Sequence, residues 1–364
     1  PCKRQTFGRG QLFTMDDARL KFNVDGKTDR GMEYGLVFTL DAGSAAERNV
    51  REDYLYFGGS WGRLYLGDTY GVEDTMSFGG FDQLGGTGGF NGDFDRVVNF
   101  TTGAPRSVNL VGETSRDTKF TYLTPRWNGI QIGASYTPRM EHRGEMEINS
   151  STSVLPKKKP FGTDNIASGI NFIHKFESGF EMALSGTSIF AEAHPEFKNS
   201  KAKKVVGRKN IASFAFGGRF TYHNFGFSAE YGNNGHSLEF KGQNKSNAGQ
   251  FVDFGLSYIW GATKFSTGYY YGWRNALGAH DPKELFSNYK RVKAHTNIVT
   301  AAIDQKLAPG LGVYLEYAYY DMHNKAAKIE AKRRNVNVGD CGGFIGGVPT
   351  NKANAFVIGS RLVF

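Results

Sequence analysis

"FVDFGLSYIWGATKFSTGYYYGWR", residues 251–274, carries one pattern twice across a three-residue joint. Val252, Phe254, Leu256, Tyr258 and Trp260 share one parity, and Asp253, Gly255 and Ser257 share the other. After "GAT", Phe265, Thr267, Tyr269, Tyr271 and Trp273 oppose Lys264, Ser266, Gly268, Gly272 and Arg274. A period of two puts alternate side chains on opposite faces of a strand, and a joint of three residues makes the pair an antiparallel hairpin.

The same alternation fills the chain. In "LGVYLEYAYYD" (311–321), Leu311, Val313, Leu315, Tyr317 and Tyr319 oppose Gly312, Glu316 and Ala318. In "ARLKFNVD" (18–25), Ala18, Leu20, Phe22 and Val24 oppose Arg19, Lys21, Asn23 and Asp25. Sixteen strands are expected, near 5–13, 17–25, 32–42, 51–60, 62–70, 117–125, 129–138, 166–177, 180–193, 209–223, 225–234, 250–260, 263–275, 293–307, 311–324 and 352–364.

Connection lengths decide how they close. Short links at 60–62, 126–129, 177–179, 223–226, 261–263 and 307–310 alternate with long ones at 71–115, 140–165, 194–208, 235–249, 276–291 and 325–350. All short links then lie at one end of a meander and all long ones at the other. This is the asymmetry of an outer-membrane barrel, and sixteen strands close it antiparallel with an even number. One face is apolar and the other polar throughout, so the polar face is expected inside a wide, wet barrel and the apolar face against lipid.

Composition agrees. Glycine is 48 of 364 residues while proline is only 10, which disfavours a disordered chain. Aromatics make up 14%, yet mean hydropathy is −0.44, as expected where apolar residues occupy only alternate positions. The net charge of +9 comes from lysine bursts such as 198–209 and 326–334, expected in solvated outer links near lipopolysaccharide phosphates. No nucleic-acid fold signature accompanies it, so no nucleic-acid partner is expected. The eight histidines form no catalytic motif, and neither an enzyme nor a cofactor is expected. "NGDFDR" (91–96) reads as a turn rather than a calcium loop, its spacing being too short for an EF-hand. Cys2 and Cys341 fall at opposite barrel ends and are expected unbonded. The chain is expected to begin inside its mature sequence and to form one domain over 1–364.

One segment stands apart. "VEDTMSFGGFDQLGGTGGFNGDFDR" (72–96) follows "GRLYLGDTYG", and no regular element is expected again until about Arg116. Connections this long are uncommon unless functional. With "FGRGQLF" (7–13), "ARLKF" (18–22), "EYGLVFTLD" (33–41), "LYLGDTYG" (64–71), "SFGG" (77–80) and the terminal "GSRLVF", the chain resembles the general bacterial porins over essentially its whole length.

That resemblance implies a trimeric, sixteen-stranded outer-membrane channel for passive diffusion of small hydrophilic solutes. It implies that the third loop, about 71–115, folds inward and sets acidic residues against a basic wall. Carried over by position, the wall residues are Arg9, Arg19, Lys21 and Arg116, and the loop acids are Glu73, Asp74 and Asp82. Asp68 is expected at the constriction with these acids, although the family usually has a basic residue there, and Met76 and Ser77 stand where Pro-Glu is usual, leaving the sign of ion selectivity open. The rival reading is a substrate-specific outer-membrane channel, for phosphate or sugar. Glycines 79, 80, 85, 86, 88 and 89 are expected to supply left-handed backbone to the loop.

Overall fold

A computed structural model of the chain describes residues 18–43, 50–92, 94, 98, 104–140, 162–193, 197–198, 205–239, 241, 246–276, 292–324 and 350–363. The expected strand 5–13, Arg9, Cys2, Cys341 and the terminal Phe364 lie outside them.

Extended strands dominate: β1 (Arg19–Lys27), β2 (Glu33–Asp41), β3 (Val50–Gly59), β4 (Gly62–Asp68), β5 (Thr118–Leu123), β6 (Ile130–Arg139), β7 (Gly162–Lys175) and β8 (Phe180–Ala193). A two-residue hairpin, β9 (Phe197–Lys198) and β10 (Val205–Val206), interrupts the series inside a long link. Then come β11 (Ile211–Tyr222), β12 (Phe225–Asn233), β13 (Gln250–Trp260), β14 (Thr263–Ala276), β15 (Val292–Ala308), β16 (Leu311–Asn324) and β17 (Thr350–Leu362). Apart from the hairpin, every strand pairs antiparallel with its sequence neighbours in one 15-stranded sheet. Fifteen of the sixteen expected strands are therefore present among the described residues, and the sixteenth is the one at 5–13. No helix is long and apolar enough to cross a membrane.

The faces follow the alternation. Phe254, Leu256 and Tyr258 of β13 and Val313 and Leu315 of β16 are exposed on the outer face, as are Phe356 and Ile358 of β17. Large aromatic rings gather at the short-link end: Trp61, Trp127, Trp260, Tyr222 and Phe225 are all exposed. Such rings suit the boundary between lipid and water, having an apolar body and a polar edge.

The inner face departs from the expected uniform polarity. Polar Ser135, Thr187, Asp253, Thr300 and Glu316 are buried there, but so are Ile189, Ile211, Phe251, Tyr270, Ile298, Tyr320 and Met322. The apolar set packs with Phe90, Phe94, Val98 and Leu110 of the 71–115 link in one cluster. The link thus brings its own apolar side chains to the inner wall, and the wall's alternation yields where they dock. Tyr270, which breaks the polar parity of β14, is wholly buried and lies 5.7 Å from Phe90 and 5.8 Å from Phe251 between ring centroids.

Candidate functional site

The 71–115 link is not devoid of regular structure. It contains a four-residue helix α1 (Val72–Thr75) and single 3-10 turns at Gly80–Gln83 and Gly89–Asn91. These tie successive parts of the link to successive strands. The Val72 amide donates to Ser135 Oγ of β6 (3.0 Å) and the Phe78 amide to Ser185 Oγ of β8 (2.9 Å). The Gly80 amide donates to Asp253 of β13 (2.5 Å) and the Gly85 amide to Ser266 Oγ of β14 (2.9 Å). Both Asp304 oxygens on β15 accept from the Gly86 amide at 3.0 Å. Glu316 on β16 accepts from the Thr87 amide and hydroxyl (both 2.8 Å) and the Gly89 amide (2.7 Å). Finally, Arg361 on β17 donates to the Gly86 carbonyl.

Three wall carboxylates therefore hold the outgoing limb by its backbone. Their oxygens satisfy loop amides that would otherwise be left without partners, which suits a segment with little secondary structure of its own. Of the six glycines expected to be left-handed, Gly86, Gly88 and Gly89 are so, with φ of 61°, 118° and 63°. Gly80 and Gly85 serve close approach instead. A β-carbon there would lie 2.6 Å from Asp253 Oδ1 and 1.8 Å from Asp304 Oδ2 respectively.

The returning limb closes the loop on itself. Glu73 is buried and accepts from the Thr114 amide (3.2 Å) and hydroxyl (2.8 Å). Asp74 is reached by solvent but walled in by protein. That crowding pushes its carboxyl up to about 6, with Glu73 adding to the shift and Lys119 and Arg116 opposing it. Glu113, not anticipated from sequence, is pushed up to about 8, first by burial and then by Asp74 and Glu73. Asp82 sits farther along, accepting from the Gly79 amide (3.1 Å) and paired with Arg219 of β11 at 3.7 Å. Burial raises its carboxyl, with Gly79, Arg219 and Lys264 pulling the other way.

Contacts of the loop run over β6 to β17 and leave the inner face of β1 to β4 open among the described residues. A row of cations occupies that open face. Arg51 donates to Asp41 at 3.1 Å, and Arg19 reaches the same oxygen at 3.9 Å. Arg51 also meets the Tyr70 hydroxyl at 3.5 Å, and Arg116 donates to that hydroxyl at 3.1 Å. Arg19, Arg51 and Arg116 are thus linked through Asp41 and Tyr70, and Arg116 faces Asp74. Arg116 precedes β5, so the strand's parity does not bind it. Lys21 follows Arg19 on the same face and is exposed.

Asp68 departs from its expected place. It is in register with Thr118, has the parity of outward-facing Leu64 and Leu66, and accepts from Thr118 Oγ1 at 2.5 Å. The acid that does face the cation row is Asp41. Arg51 was hidden for a converse reason. By count it shares the outward parity of Asp53 and Leu55, but the β2–β3 register slips between Thr39 and Leu40, and the resulting bulge turns it inward.

A one-sheet antiparallel meander with an apolar outer face and a long loop strapped to its polar inner face defines an outer-membrane β-barrel channel. The fold comparisons agree. The trimer form of the outer membrane protein OmpT of Vibrio cholerae superposes with a TM-score of 0.55 at 13% identity, covering 95% of this chain and 91% of that one. An anion-selective porin from Comamonas acidovorans gives 0.56 at 12% identity, covering 96% and 90%. In sequence, an uncharacterized protein of Rickettsia prowazekii is 24% identical over 81% of this chain and 74% of its own length. The Gram-negative porin family model matches residues 4–325, and the chain belongs to that family.

Proposed function

We propose that solutes pass between the Glu73–Asp74–Glu113 corner of the loop and the Arg19–Arg51–Arg116 row, and that this gap is the narrowest part of a water-filled path. The observation that carries the reading is the backbone strapping of the loop to the wall from β6 to β17. In this reading the strapping keeps the acidic corner opposite the open, basic wall. Opposed charges across a narrow aqueous gap set up a transverse field. Small polar solutes align their dipoles in it, while an apolar solute must break ordered water to pass. Transport of this kind is passive and needs no catalytic group. Charges facing water in such a channel cost little, whereas the same charges on the lipid face would be expensive. A homotrimer is the assembly this reading carries, in keeping with the trimer form of the structurally similar Vibrio protein. The outer lysine-rich links would meet lipopolysaccharide phosphates.

Deleting Gly85–Gly89 tests the reading in planar lipid. Single-channel conductance should rise while the strand signal in circular dichroism is retained. An unchanged conductance in a folded protein would sink it.

A further inference from the structure

On the short-link side of the loop, the inner wall from β14 to β17 carries three cations. Lys264 is the register partner of Asp304, and Lys306 lies two residues beyond Asp304. Gly312 is the register partner of both Lys306 and Arg361. By register all three share the inner face with Ser266, Asp304 and Glu316, which take the Gly85, Gly86 and Gly89 amides. They stand beside those anchors or just beyond them toward the short links. Strands two apart in a sheet run roughly 9–10 Å from each other. Between Lys306 and Arg361 the intervening strand offers only Gly312, where a β-carbon would meet nothing nearer than the Gln305 carbonyl at 3.4 Å. Two long cationic side chains thus flank a bare glycine floor.

The acids near these cations are turned into the loop. Both Asp304 oxygens accept from the Gly86 amide, and buried Glu316 accepts from Thr87 and Gly89. Asp82 accepts from the Gly79 amide and is paired with Arg219. Glu230 and Asp253 are buried beneath Gly79 and Gly80, on β12 and β13. The cations are turned the other way. Lys264 is half-buried and Lys306 exposed, and neither ammonium has a hydrogen-bond or ion-pair partner among the described residues. Asp304, Arg361 and Asp82 are the charges close enough to act on Lys264. Arg361 is exposed, donates to the Gly86 carbonyl and lies 5.7 Å from the Tyr314 ring centroid. A guanidinium has five N–H donors, so Arg361 is tied at one edge and keeps others for a ligand.

We infer that Lys264, Lys306 and Arg361 form a phosphate-binding station beside the loop, taking a phosphate-bearing solute between the constriction and the short-link mouth. This inference rests on the channel reading above. A tetrahedral, doubly charged group can accept from several donors at once, which a monovalent anion does less well. Arg361 presents a fork that matches two phosphate oxygens, and the lysines add mobile point charges on either side. The station is wet and its affinity weak, as conduction requires a solute that enters favourably and also leaves. Arg361→Ala would also release the Gly86 carbonyl and disturb the loop, so the lysines are the cleaner test.

Single-channel chloride current through the full chain in planar lipid is recorded while inorganic phosphate is added, with nitrate at matched ionic strength as the control. Saturable reduction of the current by phosphate and not by nitrate is expected. A Lys264→Gln/Lys306→Gln variant should weaken that block about tenfold, through the loss of two charge-assisted donors. Lys264→Arg/Lys306→Arg should keep most of it. Lys175→Gln removes a positive charge from the same end of the lumen on β7, where Lys175 pairs with Glu181 at 2.9 Å, and should leave the block nearly unchanged. Discrete current steps in phosphate-free chloride report folding in every variant. Equal reduction by phosphate and nitrate, block untouched by the glutamine pair, or equal weakening by Lys175→Gln overturns the station while leaving the channel intact. Calorimetric phosphate binding that the glutamine pair abolishes, in a folded protein that passes no current, would instead support the station and defeat the channel reading.

Discussion

The carbonyl oxygen of Phe78 lies 1.7 Å from the point a β-carbon on Gly217 would occupy. The same holds one strand pair on, where the Gly80 carbonyl lies 2.0 Å from the corresponding point on Gly255. In both places the obstacle is loop backbone, which cannot swing away as a side chain would. Inward glycines on β11 and β13 thus form the floor on which the loop lies. Gly217→Ala should displace the loop and change single-channel conductance, with the strand signal in circular dichroism unchanged. Gly312→Ala is the control, because its nearest atom is the Gln305 carbonyl at 3.4 Å. Equal conductance in the two variants would contradict this account.

Glu316 holds three loop donors at once. Replacing it with Ala leaves the Thr87 and Gly89 amides without their acceptor, at a cost on the order of 2–5 kcal/mol. The loop should loosen, seen as larger open-channel current fluctuations and a lower unfolding temperature in detergent. Glu316→Gln keeps an acceptor but loses the charge, so its effect should be intermediate. A quiet channel in Glu316→Ala would show that the remaining anchors suffice.

The raised loop carboxyls give a pH dependence with a definite sign. Glu113 titrates at about 8 and Asp74 at about 6, against about 4 for both in the unfolded chain. Between these values the folded protein holds more protons than the unfolded one, so stability falls as pH rises through the window. The gap also gains negative charge on the same rise. Reversal potentials across a salt gradient should therefore move toward cation preference between about pH 5 and about pH 9. Glu113→Gln should remove the upper part of that change. A flat profile would place Glu113 away from the path.

Arg51 stands between Arg19 and Arg116, sharing Asp41 with one and Tyr70 with the other. Arg51→Ala should tip selectivity toward cations more than Arg19→Ala does, since Arg19 is the more exposed and the more screened by salt. Arg19→Glu should also favour cations, by reversing a charge. A pair of substitutions among the lysines at 201–204 should leave selectivity nearly unmoved. Were the lysine pair to outweigh Arg51, the cation row would not be what passing ions sense.

The strands and their facing were legible in the sequence because a period of two is local: Val252 and Phe254 share a face whatever surrounds them. The alternation of short and long links gave the meander for the same reason. The acids Glu73, Asp74 and Asp82 were legible through the loop's length, composition and family resemblance. What the tertiary structure alone decided is less local. Arg51 faces inward through a bulge that appears only in the β2–β3 register. Asp68 faces outward because β5 pairs with it through Thr118. Tyr270 and Phe251 break the inner polarity because Phe90, remote in sequence, packs on them. Glu113 enters the site when the returning limb folds back onto Glu73 through Thr114. Each depends on two segments far apart in the chain meeting at one place, and alternation within a single strand holds no record of that meeting.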